Sequence, residues 1–276
     1  MSCPDCYKGA ALSGQPKGAL SDVNGAYLAS SPTGLSHAVV LLTDIFGLGL
    51  PNPKLLADFF SEQLGCDVWV PDLFDGEIFL SIPTLDVTCS GHAPVRPEQM
   101  MMPERAGQRP SLWGWIKIIW VALPTLPAIY RNRASVTDQR VRIFMDKLKS
   151  TKKYDKIGAV GYCFGGGTAI RFGATGLFDT LVICHPAKFS MDELKAIKVP
   201  SSWICAEDDM IISHDLRLKA EAAMAERNDG VAYEFRDYKG TTHGFAARPN
   251  TDYPEVKEAY ESALQQTVEW FKKTLI

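Results

Sequence analysis

The segment Lys156-Ile-Gly-Ala-Val-Gly-Tyr-Cys-Phe-Gly-Gly-Gly-Thr168 limits what this chain can fold into more than any other. A short apolar run ends in GYCFGGG and passes directly into residues that can continue as a helix. A strand that turns at once into a helix strains the backbone of the corner residue and lifts its side chain above the sheet, so small residues must flank the corner. Gly161 stands two residues before Cys163 and Gly165 two after, a GxCxG elbow, and Gly166 and Gly167 let the helix pack close to the strand. A helix beginning near Phe164 aims its positive end at Cys163 and favours a thiolate there. Alone, a glycine-rich turn around a buried cysteine would read the same way, and glycine-rich turns of this kind also serve nucleotides. The order of the acidic residues and histidines further along the chain separates these readings.

A chain of 276 residues with 46% hydrophobic content can bury the core of one α/β domain. With no internal repeat and no linker-like composition, residues 1–276 are expected to form a single unit. The net charge of −3, without blocks of like charge, offers no basic field for nucleic acid or anionic membrane, and points to a small-molecule partner. The first residues, Met-Ser-Cys-Pro-Asp-Cys-Tyr, lack the basic and apolar regions of a secretory signal, so a cytoplasmic location is expected. Seven scattered cysteines agree with a reducing compartment. Cys3 and Cys6 form a CxxC pair, but no second pair exists to complete a structural zinc site, and no metal or cofactor is assigned. The apolar stretch Leu112 to Tyr130 is interrupted by Lys117, Pro124 and Pro127, and falls short of the roughly 20 residues a membrane span needs.

In chain order, a short edge strand is expected near Ala26–Leu28 and a buried strand at Ala38–Thr43, broken by Asp44-Ile-Phe-Gly47. A helix is expected over Pro51–Leu64, with Leu55, Leu56, Phe59, Phe60 and Leu64 at helical spacing, then a strand at Asp67–Val70. Later elements are a helix over Ser135–Lys149 capped by Ser135 or Thr137, the elbow strand and its helix, and strands at Thr180–Cys184, Ser201–Cys205 and Tyr233–Asp237. Helices are expected near His214–Arg227 and over Tyr253–Leu275. This alternation predicts an α/β fold, a doubly wound, mostly parallel sheet with its ligand site off the carboxyl ends of the strands.

Three positions just past strands carry the chemistry: Cys163, the Asp208–Asp209 pair, and His243 in KGTTHGF. Their order, nucleophile then acid then histidine, is that of the α/β-hydrolases. A histidine beside a thiol can take its proton, and a carboxylate behind the histidine fixes its tautomer. Spacing does not separate Asp208 from Asp209, and His185, after another strand, is a second candidate base. The tetrahedral intermediate needs two backbone N–H donors, expected from Phe164 and from Ile45 in the loop after the first buried strand, with Asp44 within reach of the thiol.

GYCFGG, CAEDD, THGF, DIFG and VPDLF together resemble the dienelactone hydrolase family, in the family's order from about residue 25 to 275. The resemblance implies an α/β-hydrolase fold with a Cys, Asp, His triad. It selects Cys163, Asp208 and His243, matching Cys205-Ala-Glu-Asp208 to the family's acid-bearing turn. It also implies that the carboxylate before IFG, here Asp44 in place of the glutamate of bacterial members, helps control the thiol. Bacterial members grip a substrate carboxylate with arginines after the PDLY sequence and after the catalytic histidine. Here Pro71–Glu77 contains no arginine, and Arg248 lies a residue further from His243 than expected.

The stretch from about 75 to 133 is irregular and proline-rich, and is expected to form a lid-like insertion. Trp113, Trp115, Ile118, Ile119, Trp120 and Leu123 are expected to roof a substrate pocket, with Trp113, Trp115, His185 and Arg248 as substrate-binding candidates; an oligomer interface, such as that of a homodimer, is the competing use. The function expected is hydrolysis of an ester or lactone through an acyl-enzyme on Cys163. A thioesterase, a family member that binds or tailors a polyketide-like metabolite, and a redox-sensing thiol are the alternatives.

Overall fold

The computed structural model describes residues 12–31, 33, 36–76, 103–109, 111–113, 116, 120, 123 and 126–276. Eight strands form one sheet in the order β1-β2-β4-β3-β5-β6-β7-β8. These are β1 (Ala19–Leu20), β2 (Tyr27–Ala29), β3 (His37–Leu42), β4 (Asp67–Val70), β5 (Lys156–Tyr162), β6 (Thr180–Cys184), β7 (Ser201–Asp208) and β8 (Tyr233–Thr242). At one edge β1 pairs with β2 and β2 with β4 antiparallel, and the remaining pairings are parallel.

The strands at the centre read as continuous apolar runs because both faces of the sheet are covered. Alternation along β3 shows it: Val39 and Leu41 pack with Phe60, Val256 and Phe271 on one face, while Ala38, Val40 and Leu42 pack with Phe144, Leu148 and Ile170 on the other. Helices α1 (Asn52–Leu64) and α7 (Pro254–Thr274) supply the first layer. The second comes from α3 (Ala134–Thr151), α4 (Phe164–Phe172), α5 (Met191–Lys195) and α6 (His214–Ala225), with the short α2 (Leu126–Arg131) preceding them in the chain. Phe60 is fully buried, and truncating it to alanine would cost about 3–5 kcal/mol.

Local signals set the ends of these helices. Pro53 sits in the first turn of α1, where its missing N–H is no loss, and Gly65 ends the helix at φ 65°, returning its N–H to the Ser61 carbonyl. Ser213 caps α6 by accepting from Leu216 N–H. α3 departs from expectation: it begins at Ala134, after Arg133, with no side-chain cap. Ser135 and Thr137 therefore lie inside the first turn, where the Thr137 hydroxyl bonds back to the Arg133 and Ala134 carbonyls.

β7 and β8 run past their expected ends at Cys205 and Asp237. Their polar ends pair with each other, Cys205 with Asp237 and Asp208 with Thr242, across an irregularity between Ala206 and Asp208. Backbone pairing of polar residues leaves no trace in a hydrophobic pattern. Among the described residues no helix is long and apolar enough to cross a membrane.

Most of the insertion at about 75–133, with Trp115, Ile118 and Ile119, lies outside the described residues, as do Cys3 and Cys6. Residues 103–109 lie along the rim beside β7 and β8: Ala106 N–H donates to the Gly240 carbonyl, and Asn250 donates to Glu104. Trp113 is 73% exposed, Trp120 72% and Leu123 54%, and none of them belongs to either core layer. Among the described residues these three side chains are therefore largely exposed and join no apolar cluster, which differs from the buried roof expected of them.

Candidate active site

The elbow forms as the glycine pattern requires. Cys163 separates β5 from α4 with φ 51° and ψ −108°, a conformation that a non-glycine residue holds only under constraint. The constraints are visible. Cys163 N–H donates to the Cys184 carbonyl at 3.1 Å, and its own carbonyl accepts from Ala187 N–H at 2.7 Å and Gly167 N–H at 3.1 Å. A Cβ on Gly161 would lie 2.2 Å from the Gly165 carbonyl oxygen, and one on Gly165 would lie 2.0 Å from the Leu42 carbonyl oxygen. Only glycine fits either place.

Gly165 N–H also donates to the Thr43 carbonyl at 2.9 Å, which ties the elbow to the loop after β3. Ile45 on that loop and Phe164 at the start of α4 are brought to one corner, and neither N–H has a protein acceptor among the described residues. Asp44 is buried at the base of the loop. Its Oδ1 accepts from Phe46 N–H at 3.0 Å and its Oδ2 from Arg248 Nε at 2.8 Å, with the guanidinium 4.6 Å above the Phe46 ring. Arg248 thus answers the Asp44 charge, and the carboxylate fixes the turn that presents Ile45.

His243 follows β8 and is buried. Its Nδ1 meets Asp209 at 2.8 Å from Oδ2 and 3.0 Å from Oδ1. Asp209 Oδ1 also accepts the N–H groups of Ile211 and Ile212, so the carboxylate is held from both sides. Here the structure corrects the assignment of the acid: Asp208 does not touch His243. Asp208 is the last residue of β7, and neighbours in an extended chain point to opposite sides. It faces outward to a two-pronged contact with Arg109, at 2.5 and 3.0 Å, and accepts from Gly107 N–H. Asp209, one step past the strand, turns back to His243.

Burial disfavours a charge on His243, but the opposing charge of Cys163 and the bond to Asp209 outweigh it and raise its pKa to about 10. Nε2 is buried and turned toward Cys163, whose charge and hydrogen bonding both act to raise the His243 pKa, although no strictly closed hydrogen bond joins Nε2 to a described residue. The other buried thiols are different in kind. Burial pushes Cys184 well up, and it pushes Cys66 and Cys205 up to about 12, which leaves them inert as nucleophiles.

His185 is also buried, its ring 5.1 Å from that of His243 and tilted 65° to it, edge against face. It contacts no carboxylate among the described residues, and burial together with the nearby His243 and Arg248 charges holds it well below its usual pKa. Of the two, His243 is the histidine with a carboxylate partner. Spacing left Asp209 unresolved beside Asp208, the family resemblance chose Asp208, and neither signalled the Asp44–Arg248 and Asp208–Arg109 pairs.

A thiol at a strand-to-helix elbow, a histidine after the last strand and a carboxylate after the strand beside it, all on a parallel sheet, define an α/β-hydrolase. The comparisons agree. The chain matches the model of the dienelactone hydrolase family over residues 25–275. It is 32% identical to Hydrolase tropI of Talaromyces stipitatus, over 99% of this chain and 96% of that protein. It is 27% identical to the carboxymethylenebutenolidase homolog of Homo sapiens, over 90% of this chain and 86% of that one. The fold is shared with the dienelactone hydrolase of Anabaena variabilis, at a TM-score of 0.53 and 15% identity over 91% of this chain and 92% of that chain. The chain belongs to the dienelactone hydrolase family and is a hydrolase of carboxylic ester or lactone bonds.

Proposed function

We propose that this enzyme opens its ester or lactone through a covalent acyl group on Cys163. The observation that carries the reading is the line Asp209–His243–Cys163, ending on a sulfur held in strained backbone at the elbow. Cys163 attacks the carbonyl carbon as thiolate, its proton held by His243, while Asp209 keeps Nδ1 protonated and Nε2 toward the sulfur. The carbonyl oxygen gains charge as the tetrahedral intermediate forms, and the N–H groups of Ile45 and Phe164 receive it. His243 gives its proton to the departing alkoxide, leaving a thioester on Cys163. Water then attacks the thioester with His243 as base, and the acid leaves as the thiol is regenerated.

Asp44 supports this chemistry by holding the Ile45–Phe46 turn and by neutralising Arg248. With Arg248 paired, we read the substrate as an ester or lactone whose acyl part carries no carboxylate beside the reacting carbonyl. The cytoplasm is the proposed location and a small molecule the proposed partner.

The test is to mix enzyme with a chromogenic aryl ester and follow the first turnover. A burst equal to the enzyme concentration, and a mass increase of one acyl group on the peptide that contains Cys163, are expected. Steady hydrolysis that survives alkylation of Cys163 would exclude the thiol.

A further inference from the structure

His185 is an expensive residue to bury. Its side chain is 1% exposed, and neither ring nitrogen finds a protein partner among the described residues. A phenylalanine would fill similar space without two polar atoms to satisfy, so a residue serving packing alone would not need to be histidine.

Its position gives the imidazole a use. His185 lies on the turn after β6, in left-handed backbone with φ 32°. The residues on either side reach the elbow, the Cys184 carbonyl accepting from Cys163 N–H and Ala187 N–H donating to the Cys163 carbonyl. The ring packs on Tyr162, His243 and Phe245. It also lines a small cavity of about 10 Å³ for water centres, shared with Cys205, Asp209, Ile212, His214 and Arg217. That is about the size for one water molecule, which needs two to four polar partners. Asp209 can be one of them. Its Oδ1 is taken up by Ile211, Ile212 and His243, but among the described residues its Oδ2 accepts from His243 alone and has capacity left.

We propose that His185 is a positioning residue: a single water in this cavity joins one of its ring nitrogens to Asp209 Oδ2, and this link keeps the Asp209–His243 pair aligned on Cys163. The water donates to the carboxylate and to the unprotonated nitrogen of a neutral imidazole. Neutrality is imposed first by burial and then by the cations His243 and Arg248 that face the ring from other elements, with Tyr162 as an uncharged titratable neighbour. Asp209, His214 and Arg217 face it across the cavity.

The inference rests on the thiol reading of Cys163, and its test separates the two. His185→Phe removes the nitrogens and keeps the bulk, while His185→Gln keeps a donor and an acceptor. His185→Phe should melt at the wild-type temperature or above it, yet lose about tenfold or more in kcat with KM within about threefold. The pH profile of Cys163 alkylation by iodoacetamide should shift, and the downfield proton resonance of His243 Nδ1–H should move or broaden. His185→Gln should restore kcat to within about threefold of wild type. A high-resolution crystal structure of the wild type should show one ordered water bonded to Asp209 and to the His185 ring. Wild-type kcat in His185→Phe, an equal loss in His185→Gln, or a cavity without that water would overturn the proposal. If Cys163 proves not to be the nucleophile, the water and the His243 resonance still report on His185.

Discussion

Asp209 Oδ2 lies 2.8 Å from His243 Nδ1, while Asp208, its neighbour in sequence, is held on the outer side by Arg109. Two adjacent carboxylates thus have opposite surroundings, one almost wholly buried against an imidazole and one on an exposed guanidinium. At the rim, Asp208 accepts from Gly107 N–H and from Arg109 and so ties residues 103–109 to the end of β7.

Asp209→Asn should therefore lower kcat/KM by about a thousandfold or more, the scale for losing the carboxylate that orients a catalytic histidine. Asp208→Asn should cost less than about tenfold, since its pair with Arg109 is exposed and weak. Steady-state rates of the two variants on one ester check this, and the opposite ranking would return the acid role to Asp208.

Cys163→Ala should abolish turnover and leave far-UV circular dichroism unchanged, because alanine adds no bulk at the elbow. Cys163→Ser should keep only traces, as a hydroxyl ionises far less readily than a thiol. Near wild-type rates in either variant would contradict the mechanism.

Asp44 and Arg248 are both largely buried, so removing one strands the charge of the other. Arg248→Gln or Asp44→Asn alone should cost about 3–5 kcal/mol in denaturant unfolding, and the double variant should recover part of the loss. Additive single costs would mean that the two side chains are not coupled.

The two histidines should shape stability at opposite ends of the pH scale. His243, with its pKa raised to about 10 against 6.5 unfolded, binds its proton more tightly when folded. Its contribution is complete below about pH 6.5 and is lost as pH rises through about 10. For His185 the folded pKa is depressed, so its contribution is present above about pH 6.5 and is lost as pH falls below that value. Thermal melting from pH 5 to 10.5 should show His243→Gln approaching wild type on the alkaline side and His185→Phe gaining on wild type on the acid side. Parallel curves for all three proteins would refute both assignments.

Trp113 and Trp120 stand in solvent, so Trp113→Ser and Trp120→Ser should each change unfolding free energy by less than about 0.5 kcal/mol. A loss of about 2 kcal/mol or more would show that these side chains are covered in solution.

The sequence by itself determined the sheet and the strand-to-helix elbow that carries Cys163, and it placed His243 just past the last strand. Continuous apolar runs, helical spacing and glycines that no other residue can replace are local properties, and each acts within a dozen residues. Only the tertiary structure decided which carboxylate serves His243 and what the remaining charges do. The choice between Asp208 and Asp209 depends on where β7 ends, and β7 ends where pairing with β8 ends, through residues with no apolar pattern. Asp44 meets Arg248 across 204 positions of sequence, and His185 meets His243 only because β6 and β8 finish on the same rim of the sheet. The exposure of Trp113 is the same kind of fact, since whether a hydrophobic side chain finds a partner depends on what folds against it, which no local pattern records.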